Sequence, residues 1–94
     1  MRVTIDLPDY HPNDGIRLKW ESGFWISVEV DSDGAVVLTA NKEGLISLAH
    51  HFLTLANPDI PSGNHLHLDS SSGLEDGSSE LIIVKASDFQ YRQV

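Results

Sequence analysis

The hydrophobic positions of this chain change period twice, at Asn41 and again beyond the helix. As far as Ala40 they alternate with polar residues, the signature of half-buried strands, and from Lys42 they recur at helical spacing. Val3, Ile5 and Leu7 alternate with Arg2, Thr4 and Asp6, which predicts a strand that Pro8 ends. Asp9 to Gly15 is rich in turn formers and reads as a loop. Ile16, Leu18 and Trp20 form a second alternating row, closed by Ser22 and Gly23. Phe24, Ile26, Val28 and Val30 form a third, and Asp31 to Gly34 then predicts a hairpin turn. Its partner, Ala35 to Ala40, is apolar on both faces, which places it in the middle of a sheet.

Asn41 is a natural N-cap for a helix over Lys42 to Ala56, with Leu45, Leu48, Ala49, Phe52, Leu55 and Ala56 as its apolar stripe. Asn57 and Pro58 end it. Beyond a loop punctuated by Pro58, Pro61 and Gly63, Leu66 and Leu68 alternate with His65, His67 and Asp69 in a short strand. Ser70 to Ser79 is polar, Glu80 to Ala86 returns as an apolar strand, and Phe89 and Tyr91 carry the spacing of one more edge strand.

These elements predict an α+β domain: one antiparallel sheet of five to six strands in β-β-β-β-α-β-β order, with one helix packed on one face. Six strands span about 25–29 Å and the helix about 22 Å, so one helix covers one face only. The other face presents Arg2, Thr4, Asp6, Arg17, Lys19, Glu21, Trp25, Ser27, Glu29, His65, His67 and Asp69. A face that mixes an exposed aromatic with ionisable groups is a candidate binding surface.

Composition narrows the function classes. Ninety-four residues form one small domain, and the 40% apolar content is ordinary for a globular chain. Six basic against fourteen acidic side chains leave a net charge of −8, which repels phosphate backbones and anionic membranes and favours a cationic partner. The acids are unevenly placed: no Lys or Arg lies between Lys42 and Lys85, while Glu43, Asp59, Asp69, Glu75, Asp76 and Glu80 all do. Zero cysteines remove disulfides, thiolate nucleophiles and thiolate metal sites. The N-terminal residues carry Asp6 and Asp9 and no apolar core of a signal peptide, so a cytoplasmic location is expected.

Catalytic patterns are weak. Ser70, Ser71 and Ser72 lack the flanking glycines of a nucleophile turn, and His50 and His51 are adjacent on the helix, not at the spacing helical metal sites use. His65, His67 and Asp69 share one face of a strand and could ligate a metal if Glu75 or Glu80 folded back to complete the set. The expectation is a protein without enzymatic activity or cofactor.

One stretch is more specific. From Pro61 the chain reads Pro-Ser-Gly-Asn-His-Leu-His-Leu-Asp, and from Ser72 Ser-Gly-Leu-Glu-Asp-Gly-Ser-Ser-Glu-Leu-Ile-Ile-Val-Lys. His65, His67, Leu68, Asp69, Gly73, Leu74, Glu75, Gly77, Ser78, Glu80 and Leu81 to Ile83 resemble the signature of a family of small immunity proteins from bacterial polymorphic-toxin systems, family thirty-two. The resemblance covers about the last third of the chain and the preceding helix. It implies a protein that binds and blocks a cognate toxin. Joined to the charge reading, the expected partner surface comprises Trp25, Glu29, His65, His67, Asp69, Glu75, Asp76 and Glu80, docking on a basic toxin domain. The alternatives are a metal-binding protein or enzyme using His65, His67 and Asp69, and a regulatory domain or homodimer that pairs through its open sheet face.

Overall fold

A computed structural model describes residues 1–87, so the edge strand expected at Phe89 and Tyr91 lies outside the described residues. The order is β1 (Ile26–Val30), β2 (Val36–Ala40), α1 (Lys42–Leu55), β3 (His65–Leu68) and β4 (Leu81–Val84). β1 and β2 form the hairpin that the alternation predicts, in a register from Ile26 opposite Ala40 to Val30 opposite Val36. Its turn is built by Asp31, whose Oδ1 accepts from the amides of Asp33 and Ala35 at 2.9 Å each, and by Gly34 at φ +84°.

The expected single sheet of five to six strands does not form. Among the described residues, four strands make two separate two-stranded antiparallel sheets, β1–β2 and β3–β4. The reason lies in the segment between β3 and β4. It runs along the outer edge of β1, where the Glu75 amide donates to the Ile26 carbonyl (2.9 Å) and the Ser79 amide to the Val28 carbonyl (2.7 Å). The Ser78 hydroxyl accepts from the Val28 amide at 3.2 Å. This irregular segment occupies the edge of β1 on which the preceding row, Ile16 to Trp20, would have paired.

Residues 2–7 and 16–20 consequently have no ladder and are not strands. Alternation still governs the second of them, because Ile16 and Leu18, with Tyr10, pack against a cluster of Leu55, Ile60 and Leu66. Trp20 and Phe24 stack at 4.5 Å and close the other cluster, Ile26, Val28, Leu48, Leu68 and Leu74. Ile83 touches both clusters. Each fully buried aliphatic side chain here contributes about 1.5–3 kcal/mol of transfer free energy. Val3 and Leu7 remain exposed, so burial does not enforce the first alternating row. β2, expected in the middle of a sheet, pairs among the described residues with β1 alone.

Asn41 caps α1 as expected, its Oδ1 accepting from the Gly44 amide at 2.8 Å. The buried face differs from the predicted stripe. Gly44, Ser47, Leu48, His50, His51, Thr54 and Leu55 point inward, whereas Leu45 and Phe52 are exposed. Polar residues can occupy the inner face because most of them find partners there. The Ser47 hydroxyl accepts from the Glu21 amide (2.8 Å) and donates to the Glu43 carbonyl (2.8 Å), and the Thr54 hydroxyl donates to the His50 carbonyl (2.7 Å). Gly44 allows the helix to approach the hairpin, since a Cβ there would lie 2.8 Å from Ile26 Cγ1.

Candidate functional site

The β3–β4 hairpin holds His65 and His67 on its outer face, with Asp69 and Glu80 at its strand ends. The strand buries Leu66 and Leu68 and exposes His65 and His67, so alternation does what the sequence predicts. The register sets His65 opposite Val84 and His67 opposite Ile82 and ends with Leu68 opposite Leu81, the neighbours of Asp69 and Glu80 in the chain. His67 Nε2 lies 3.5 Å from Glu80 Oε2 and 3.8 Å from Asp69 Oδ2. His65 shares the face but stands outside this trio.

Asp69 is held in place by the serines that follow it. Its Oδ1 accepts from the Ser72 hydroxyl and the Ser71 amide, both at 2.9 Å, which leaves Oδ2 turned to His67. The Ser72 hydroxyl, then the Ser71 amide, hold its carboxyl below the usual aspartate range, so this acid keeps its charge in mildly acidic solution. One donor atom each from His67, Asp69 and Glu80 lies within 4.8 Å of the others, a nitrogen and two oxygens that could accept a divalent cation. Of the metal set considered from sequence, His65, His67 and Asp69 completed by Glu75 or Glu80, the structure groups His67, Asp69 and Glu80 and leaves His65 outside.

Glu75 and Asp76 are exposed on the segment that lines β1, with Glu75 fixed by its backbone beside Ile26. Trp25, 40% exposed, precedes that residue, and Glu29 is exposed one position beyond Val28. The segment thus joins two groups of expected residues, Trp25 and Glu29 on the first hairpin and His67, Asp69 and Glu80 on the second. Lys85, the cation that ends the acidic interval, donates to the carbonyls of Asn57 and Ile60 at 2.7 Å each. A cavity of about 500 Å³ beside it is lined by Pro58, Ile60, Pro61 and Lys85, and none of the expected site residues borders it.

Sequence reasoning missed two features of this region. Ile82 and Val84 are 54% and 59% exposed and share the histidine face, forming an apolar centre flanked by charge. Their alternation with Leu81 and Ile83 was the available signal. Ser78 and Ser79, which dock the acidic segment on β1, carry no sequence signal for that role.

A sequence model of the family described as Immunity protein 32 matches residues 35–86, more than half of the chain. The chain belongs to this family. The Immunity protein 32 match begins at β2 and takes in α1, both strands of the second hairpin and the acidic segment between them, whereas Trp25 and Glu29 lie outside it. Family membership implies a binding role with a toxin as protein partner. No curated protein and no solved structure matches the chain. Among the described residues, no helix is long and apolar enough to cross a membrane.

Proposed function

We propose that this Immunity protein 32 member neutralises a cognate toxin domain in the cytoplasm of the producing cell by covering a basic active surface with its acidic face. The observation that carries this reading is the 75–80 segment. It carries Glu75, Asp76 and Glu80 between Trp25 and Glu29 on one side and His67 and Asp69 on the other, within an interval that has no Lys or Arg from residue 43 to 84. In this arrangement the acids accelerate encounter with a cationic surface and discriminate against acidic ones. Trp25, Ile82 and Val84 supply apolar area that loses water on contact, and the histidines donate hydrogen bonds beside it.

A divalent cation held by His67, Asp69 and Glu80 is the second reading, favoured by the separation of their donor atoms. Equilibrium dialysis against zinc separates the two, because the toxin-binding reading requires no bound metal.

Co-expression is the direct test. The parent protein is expected to rescue cells from its cognate toxin, and a variant with Glu75→Lys, Asp76→Lys and Glu80→Lys is expected to rescue poorly while retaining its fold by circular dichroism. Full rescue by the folded triple variant would refute docking through this segment.

A further inference from the structure

β2 has the sequence of a strand paired on both sides and, among the described residues, is paired on one. Val36–Ala40 contains no charge, glycine or proline, and Val36, Val37 and Leu38 are 62%, 45% and 37% exposed. Two hydrogen bonds fix the phase of the hairpin: the Asp31 amide donates to the Ala35 carbonyl (2.9 Å) and the Asn41 amide to the Trp25 carbonyl (3.1 Å). Residues 35, 37, 39 and 41 therefore turn their peptide groups to β1, and Val36, Leu38 and Ala40 turn theirs away. Of the outward groups of β1, the Ile26 carbonyl and both the amide and the carbonyl of Val28 are taken by Glu75, Ser78 and Ser79. No described residue takes those of β2. Open edges are normally blunted by lysine, proline, a bulge or an inward charge, and this strand has none of these.

We infer that the open edge of β2 is a self-association interface, on which β2 of a second copy pairs antiparallel about a twofold axis through Leu38. The strand is self-complementary in that register. Leu38 meets Leu38, and Val36 meets Ala40 of the other copy, so that every outward amide and carbonyl of the three residues pairs, about six hydrogen bonds in all. Charge favours a second copy over the toxin as occupant. A chain of net charge −8 repels its own kind except where charge is missing, and β2 is such a place. The charges at its two ends are opposite, Asp33 before the strand and Lys42 after it, and the twofold register brings Lys42 of one copy opposite Gly34, beside Asp33, of the other. A cationic toxin gains no electrostatic attraction from this edge. The paired strands would form one four-stranded sheet whose two acidic segments lie on its outer edges, so the inference does not depend on the proposed function.

Sedimentation equilibrium of the full chain tests it. The average mass is expected to rise from 10.4 kDa toward twice that value as protein is concentrated. Leu38→Pro deletes an outward amide without touching a bond to β1, and edge strands accept proline at such positions. Val36→Lys places a charge at an exposed position of the pairing strand and decides the matter if the proline variant fails to fold. Each is expected to weaken dimerisation by at least about tenfold with an unchanged circular dichroism spectrum. A parent that stays monomeric throughout, or a dimer that Val36→Lys leaves intact, would overturn the inference. So would toxin-dependent protection of the Leu38 amide from hydrogen exchange in a monomeric parent, which would assign the edge to a toxin strand.

Discussion

Trp20 lies directly over Gly73. A Cβ on this glycine would collide with the indole ring, and its φ of +98° is one that side-chain-bearing residues rarely adopt. An N-terminal segment outside the family match thereby closes over the turn that shapes Asp69. Gly73→Ala is expected to cost about 2–4 kcal/mol in urea denaturation, the sum of left-handed strain and displacement of Trp20. Gly77→Ala, at φ +85° with open space around it, is expected to cost about 1 kcal/mol. Equal losses at the two positions would show that Trp20 does not pack there.

Asn41 does more than begin the helix. Its Oδ1 accepts from both Gly44 and Trp25 amides (2.8 and 2.9 Å), and its Nδ2 donates to the Gly23 carbonyl at 2.9 Å. It therefore fixes the approach of the chain to β1 and the placement of Trp25. Asn41→Ala is expected to destabilise the fold by about 2–3 kcal/mol, more than an isolated cap, as read by the urea midpoint.

The face that α1 buries is testable by two truncations. Leu48→Ala is expected to cost about 2–5 kcal/mol, because Leu48 lies in the cluster with Ile26 and Val28. Phe52→Ala is expected to cost less than about 1 kcal/mol, since Phe52 is exposed. The apolar periodicity alone would rank the two together.

His51 gives the fold a pH dependence. It is fully buried, edge-on to Trp20 at 4.2 Å, with Nε2 donating to the Lys19 carbonyl (3.2 Å) and Nδ1 unpaired. Burial lowers its pKa from the ordinary 6.5, the Lys19 bond opposes this in part, and neighbouring His50 adds to the lowering. The unfolded chain thus binds a proton at a pH where the folded chain does not. The contribution of His51 is complete above pH 6.5 and is lost as the pH falls through the depressed folded value. Urea midpoints measured downward from pH 7.5 are expected to fall, and His51→Gln, which keeps a donor for Lys19 but cannot ionise, is expected to flatten that fall.

Local pattern made several elements legible. Asp31 to Gly34 marks a turn by its own chemistry, Asn41 marks a cap, and His65 to Leu68 alternates cleanly, so both hairpin strands and the helix start follow from short-range rules. Period-2 alternation reports which side of a segment is buried and says nothing about what pairs with its edge. Ile16 and Leu18 alternate and are half-buried without a ladder, because residues 75–79 had already taken the edge of β1. The buried face of the helix departs from its apolar stripe for a related reason: Ser47 is buried through a partner, Glu21, twenty-six positions away. In the candidate site the acidic interval was visible as composition, whereas the meeting of Glu80 with His67 and Asp69 depends on the register of β3 against β4.

The rate of association with the cognate toxin tests electrostatic docking most directly. Stopped-flow mixing at low salt is expected to show the Glu75→Lys, Asp76→Lys, Glu80→Lys variant associating at least about tenfold more slowly than the parent, with the two rates converging as salt screens the surface charge. A folded triple variant that associates as fast as the parent at low salt would contradict the account.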